Sequence, residues 1–268
     1  MTPPRAADIL AGLAGAGPLT SWPGHLVEGC RSATLVSGVG LAVTGTAAVS
    51  SVLAATDGSS QEMEDLQFLL GEGPCVDAVT SGRPVLVSDL AGQAGQRWPA
   101  YTAGARARGV LASFAFPLQV GAVGIGVLDL YEASSGPLTE GQHATALAFA
   151  DAATAVLLHL QYGATQLTDD EDGTRAGRRR GALAAVEVVD RRAVVHQATG
   201  MVSVQLGVGL AVALVRLRAH AFGTDRSVLE VASDVVVRRL RFDHSATGTV
   251  DVPPGTVPGA PAADEEPS

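Results

Sequence analysis

Arginine is the side chain whose number and spacing could do chemistry in this chain. All 18 basic residues are Arg, and twelve of them stand in residues 175–242 against five acids. A guanidinium is a planar fork that pairs with two phosphate oxygens at once and also stacks on unpaired bases. The candidates come in short groups: Arg191 and Arg192, then Arg216 and Arg218, then Arg238, Arg239 and Arg241. Glu187, Asp190 and Asp234 are the acids placed to neutralise some of them locally. The rest of the sequence is acidic, with −7 over residues 1–162, −4 over 163–174 and −5 over 243–268, in a chain of formal net charge −9. A basic segment inside an acidic protein confines polyanion attraction to one place, which points to a nucleic acid partner. Arg178–Arg180 either steers that polyanion or solubilises its surroundings, and His196 and His220 read as packing or surface residues.

Other chemistries have little to build on. The two cysteines, Cys30 and Cys75, read as buried or idle thiols of a cytoplasmic chain. Cys75 lies in a loop where a sensed ligand could sit, but a small buried side chain is the simpler reading. There is no CxxC or HExxH, and the six His are scattered, so neither a metal nor a cofactor is expected. Asp65, Asp77 and Asp89 have no obvious partner base, and no GxSxG, P-loop or dinucleotide fingerprint occurs. The run Gly121-x-x-Gly124-x-Gly126 lies in a hairpin and not before a helix, so it is no phosphate loop. The expectation is therefore a protein without catalytic activity. No stretch approaches the roughly 18 uninterrupted apolar residues of a spanning helix, and Asp8 interrupts the N-terminal apolar run, so neither membrane nor signal peptide is expected.

The elements that must position these groups follow from periodicity. Residues 1–18, rich in Ala, Gly and Pro, read as a flexible leader. Over residues 19–162 the expected order is a helix at Leu26–Val36, strands at Gly40–Val43 and Ala47–Ala54, and a helix capped at Ser59-x-x-Glu62 and running through Leu70. A short helix at Cys75–Thr80, a strand at Arg83–Asp89 and a helix at Trp98–Arg108 come next. Strands Val110–Val120 and Val123–Tyr131 join through Gly121-Ala122, and Thr139-x-x-Gln142 caps a helix ending near Gln161. Hairpin-connected strands make this an α+β domain on an antiparallel sheet with flanking helices. Residues 163–177 read as a linker. An all-α three-helix bundle is expected over 178–242, burying Val195, Ala198, Val202 and Leu206, then Leu210, Leu214, Leu217 and Ala221, then Leu229, Ala232, Val236 and Leu240. Residues 243–268 read as a disordered acidic tail.

Two resemblances sharpen this outline. Gln197-Ala198-Thr199-Gly200-Met201, Ala213-Leu214, Leu217-Arg218, Ala221 and Leu229-x-Val231-Ala232 make residues 194–232 resemble an ANTAR domain. That family is a dimeric helical module that binds hairpin RNA in nascent transcripts and prevents transcription termination. The resemblance implies RNA contacts at Arg191, Arg192, Gln197, Thr199, Gly200, Arg216 and Arg218. The family pattern carries Lys where this chain has Thr199 and an acid near Val212. The first departure shifts the burden of phosphate binding onto the Arg residues. Leu69–Val79, Arg83–Leu90, Trp98 and Phe116–Tyr131 resemble a GAF domain, covering most of residues 20–162. This implies a sensor that holds a small molecule on one face of its sheet or dimerises through terminal helices; no ligand is implied by name, and the cyclic-nucleotide NKFDE pattern is absent.

The expected protein is a cytoplasmic, homodimeric, signal-responsive regulator that binds hairpin RNA and prevents termination. Thr139–Gln161 and Arg180–Leu206 are the expected dimer seams. The rivals are a DNA-binding helix-turn-helix regulator, for which Ser227, Glu230 and Ser233 form a thin set of base readers, a GAF-type redox enzyme using Cys30 and Cys75, and a protein adaptor without nucleic acid.

Overall fold

The computed structural model describes residues 3–44, 49–92, 94–169, 193–243 and 249–251, and these fall into two compact units, Met1–Arg192 and Ala193–Ser268. In the first, α1 (Ala6–Ala16) and α2 (Trp22–Thr34) precede β1 (Gly38–Thr44) and β2 (Val49–Ala55). Then come α3 (Gly58–Leu70), α4 (Pro74–Ser81), β3 (Val85–Val87), α5 (Ala94–Arg97), α6 (Pro99–Ala107), β4 (Ala112–Val120), β5 (Val123–Glu132) and α7 (Glu140–Asp169). The five strands form one antiparallel sheet of order β2-β1-β5-β4-β3. Gly121, at φ +61°, makes the tight β4–β5 turn, a backbone that L side chains resist.

Strand alternation divides this sheet into two unlike faces. Val39 and Leu41 of β1, Phe114, Phe116 and Leu118 of β4, and Leu128 and Leu130 of β5 all point to one side. There they pack against Leu26, Val27 and Cys30 of α2 and Ala146, Phe149, Ala153, Val156 and Leu157 of α7. The other face carries α3, α4 and α6 and holds smaller side chains and polar groups. Thr139 caps α7 as expected, with Gln142 N donating to its hydroxyl at 3.2 Å, and Gln142 Nε2 also donates to the Thr34 carbonyl at the end of α2. The stretch Glu140–Leu160 has the length and mean hydropathy, 1.3, of a spanning helix, but its apolar stripe lies in the sheet core.

Three expectations change here. Residues 6–16 are not a flexible leader but α1, because Ile9, Leu10 and Leu13 recur at helical spacing and Leu13 enters the core. Helix α3 is capped by Asp57, whose Oδ1 accepts from Ser60 N at 2.7 Å, and not by Ser59. Residues 163–169 continue α7 and are not linker, since no proline stops the helix and propagation is cheap once it is nucleated. Residues 170–192, with the rest of that linker, Arg178–Arg180 and the first part of the expected seam, lie outside the described residues.

In the second unit α8 (Ala193–Leu206) meets α9 (Leu210–Gly223) at 105°, turning through Gly207 at φ +58°. The α8 positions Val195, Ala198, Val202 and Leu206 are buried as the spacing predicts. On α9 the buried stripe is Ala213, Leu217 and Ala221, while Leu210 is exposed. On α10 (Val228–Val236) it is Val228, Val231, Ala232 and Val235, with Leu229 exposed. Leu217, Ala221 and Ala232 are buried as the spacing predicts, while Ala213, Val228 and Val235 take the places expected for Leu214, Leu229 and Val236, because Val, Leu and Ala occupy adjacent sites and blur the stripe. Leu240 is not helical: Arg238 adopts φ +61°, and β6 (Leu240–Phe242) alternates buried, exposed, buried and pairs with β7 (Thr249–Asp251). So residues 249–251, assigned to the disordered tail, form a strand; 252–268 lie outside the described residues.

Two substitutions test this packing. In Gly126→Ala the new Cβ would stand 2.5 Å from the Ala42 carbonyl oxygen and 2.7 Å from Leu157 Cδ1. Urea denaturation is expected to show a loss of about 1–3 kcal/mol, the usual range for overpacking. Ser227 and Glu230 form a reciprocal capping box on α10. Ser227→Ala is expected to cost about 1 kcal/mol in thermal melts.

Candidate functional site

The polar face of the sheet encloses a cluster of ionisable side chains. Strand β1 offers Gly38 and Gly40 on this side, and the space their Cβ atoms would fill is taken by the side chains of Ser60 and Glu64, one turn apart on α3. The register sets Asp129 of β5 between Gly40 on β1 and Ala115 on β4, and Tyr131 between Gly38 and Ser113. Small neighbours on both sides thus leave room around a carboxylate in the middle of the sheet. The Tyr131 hydroxyl donates to Glu64 Oε1 at 2.9 Å and accepts from Gln67 Nε2 at 3.2 Å. Gln67 Oε1 in turn accepts from the backbone N of Cys75 at 2.8 Å, which fixes the first turn of α4. Nearby, Tyr101 of α6 donates to Ser113 Oγ at 3.2 Å.

Glu64, Cys75 and Asp129 are all buried, and one ligand atom from each lies within 4.8 Å of the other two. The Asp129 carboxyl meets the Cys75 thiol and the Glu64 carboxyl, and these cluster neighbours are the groups that act on it. Burial pushes the Asp129 carboxyl well above the usual carboxylate range, and the Glu64 charge pushes it further. Burial, followed by the Glu64 and Asp129 charges, likewise raises the Tyr131 phenol. The Tyr101 phenol is raised mainly by burial. No guanidinium figures among the groups acting on these side chains. Cys30 belongs to the opposite, apolar face, where burial pushes its thiol up to about 12. The two cysteines that a redox enzyme would pair therefore sit on opposite faces of the sheet.

An open cleft of about 1160 Å³ runs along the edge strand β3, between Pro84–Asp89 and Gln96–Trp98. Arg97 closes one end, stacked 4.8 Å over the Trp98 ring and paired with Asp77 at 2.5 Å.

The second unit holds the residues selected for RNA contact. Gln197 and Arg216 are exposed, while Gly200 and Arg218 are half-buried. Arg216 and Arg218 flank buried Leu217 on either side, so α9 presents them to different faces. Thr199 is a correction: it is 6% exposed and its hydroxyl donates to the Val195 carbonyl at 2.7 Å, so it is turned into the helical core and not toward a phosphate. Gly200 shows no close helix contact, since a Cβ there would meet nothing within 4 Å. Arg238, Arg239 and Arg241 are exposed; Asp234 ion-pairs with Arg226 at 2.5 Å and reaches Arg239 only at 3.8 Å. Arg191 and Arg192 lie outside the described residues.

Sequence reasoning named Cys75 but missed Glu64, Gln67, Asp129 and Tyr131. The usable signal was Asp129 and Tyr131 at alternate positions of a strand that is otherwise apolar, facing the alternate glycines Gly38 and Gly40.

A family model described as GAF domain matches residues 32–158. Among solved structures, the chain is similar to the GAF domain of a phosphoenolpyruvate-protein phosphotransferase from Coxiella burnetii, with 17% identity, TM-score 0.47, and coverage of 60% of this chain and 97% of that one. It is similar to the cyanobacteriochrome TePixJ GAF domain, with 18% identity, TM-score 0.44, and coverage of 55% and 97%. It is also similar to free methionine-R-sulfoxide reductase from Neisseria meningitidis, with 16% identity, TM-score 0.40, and coverage of 57% and 86%. No curated protein matches the chain.

The burial of Cys30 has a direct readout. At pH 8 a thiol with a pKa of about 12 is only about 0.01% thiolate, against roughly a quarter for an unperturbed cysteine. Mass spectrometry after iodoacetamide treatment is expected to show Cys30 alkylated at least about 1000-fold more slowly in the native chain than in guanidinium. Comparable rates would contradict its placement.

Proposed function

Residues 32–158 are a GAF domain, a sensing module of regulatory proteins, and on that premise we propose that the whole chain is a cytoplasmic, signal-responsive regulator whose C-terminal unit binds hairpin RNA in nascent transcripts and prevents termination. The observation that carries the RNA half is the charge distribution. Residues 175–242 hold twelve Arg against five acids in a chain of net charge −9, and Arg216, Arg238, Arg239 and Arg241 are exposed on the described part of that segment. The ANTAR resemblance of residues 194–232 turns a generic polyanion site into one for looped RNA, where unpaired bases offer faces for guanidinium stacking. Arg191, Arg192, Gln197, Arg216 and Arg218 are the proposed contacts, and Gly200 leaves an open spot on α8 for close approach of a backbone. Two copies side by side would span two loops, which makes a homodimer the working assembly. A small-molecule signal is taken up by the GAF domain and sets the exposure of the RNA-binding helices. Catalysis is not part of this reading, since the two thiols are kept apart on opposite faces of the sheet.

Gel-shift titration of the full chain with a hairpin RNA and with duplex DNA of the same sequence tests the proposal. The hairpin is expected to bind more tightly, with log K falling linearly in log salt concentration. Arg216→Ala is expected to weaken binding and to reduce the salt slope by about 0.7–1, the share of one phosphate contact. Equal affinity for hairpin and duplex would sink the RNA assignment, and an unchanged slope in Arg216→Ala would remove that residue from the interface.

A further inference from the structure

We propose that Glu64, Cys75 and Asp129 bind one divalent transition-metal ion of the zinc class inside the GAF domain. The inference concerns this domain alone and stands whether or not the C-terminal unit binds RNA. It rests first on geometry. A thiol sulfur and two carboxylate oxygens from three different elements converge to within 4.8 Å of one another in the protein interior. Zn–S and Zn–O bonds of about 2.0–2.3 Å place tetrahedral ligand atoms roughly 3.5 Å apart, so small side-chain rotations close the set.

The second observation is Asp129. It is 0% exposed and sits mid-strand at the centre of the sheet, and the side chains that meet its carboxyl are the other two members of the cluster, Cys75 and Glu64. Buried carboxylates are ordinarily paired with a cation, hydrogen-bonded or bound to a metal. Among the described residues, the groups that act on it are the acidic side chains of the cluster, Glu64 and Cys75. A dication coordinated by all three would balance the charge of these ligands where water does not reach.

The surroundings suit a metal centre. Tyr131 donates to Glu64, and Gln67 holds both Tyr131 and the backbone of Cys75, so two of the three ligands are oriented by a hydrogen-bonded outer layer. Cys75 lies in the first turn of α4, with its backbone N–H held by Gln67 Oε1. Gly40 keeps β1 bare where the Glu64 carboxylate lies. One thiolate with two carboxylates selects a borderline ion such as Zn2+ over Mg2+ or Ca2+, which take oxygen alone. Three protein ligands leave a fourth position for water or a small anionic ligand.

The full chain, stripped with a chelator and reloaded, provides the test. After dialysis against Zn2+ and then buffer, wild type and Cys30→Ser are expected to retain one ion per chain by elemental analysis. Loaded with Co2+, Cys30→Ser is expected to show the near-ultraviolet sulfur-to-cobalt charge-transfer band, and Cys75 is its only thiol. Tyr131→Phe should weaken the metal by about 10–100-fold, as for loss of an outer-layer hydrogen bond. Cys75→Ser should abolish the band. The proposal is overturned if wild type retains no Zn2+, if Co2+ binds without the sulfur band, or if the band survives in Cys75→Ser. Should Cys75→Ser fail to fold by circular dichroism, the band in Cys30→Ser decides alone.

Discussion

The GAF domain depends on an exchange of side chains across one seam. Strand β1 gives up its own side chains at Gly38 and Gly40, and α3 fills the vacated space with Ser60 and Glu64. Alanine at either glycine would collide with those groups, so helix and strand can approach this closely only because the strand is bare. The close approach carries a carboxyl into the interior beside Asp129. From that one seam follow the Tyr131 and Gln67 hydrogen bonds, the anchoring of Cys75, and the raised titration of Asp129 and Tyr131.

The two faces of the sheet have become different materials as a result. One is filled by Leu, Val and Phe against α2 and α7 and holds the domain together by apolar burial. The other gives up part of that stabilisation to keep Glu64, Gln67, Ser113, Asp129 and two tyrosines inside. Unpaired buried polar groups are costly, and strongly perturbed ones concentrate at functional sites. The perturbed side chains thus lie on the polar face, and Cys30, its thiol pushed up by burial, lies on the apolar one.

The second unit solves a different problem. Its helices are short and its stripes narrow, so capping and turn devices matter more: the Ser227–Glu230 box, the left-handed Gly207, and the β6–β7 hairpin tied back when Gln205 Oε1 accepts from Phe242 N at 2.9 Å. Arg216, Arg238, Arg239 and Arg241 are exposed while Arg218 is half-buried, and Asp234 engages Arg226 more closely than Arg239.

The sequence by itself determined the element order, the antiparallel sheet, the β4–β5 turn, the Thr139 and Ser227 caps, and the concentration of Arg in the last third. Each of these is local: periodicity, a turn residue or a capping pair acts within a few positions. It missed α1, placed Leu214, Leu229 and Val236 where the fold buries the neighbours Ala213, Val228 and Val235, and ran the last helix into β6, because runs of adjacent Ala, Val and Leu leave the phase of burial undecided until a partner surface selects it. Thr199 shows the same limit, since its polar side chain was assigned to RNA and the fold turned it inward. Above all, the cluster was a tertiary decision. Glu64, Cys75 and Asp129 stand on α3, α4 and β5, and no spacing rule joins residues that only a strand register and a helix packed on bare glycines bring within 4.8 Å.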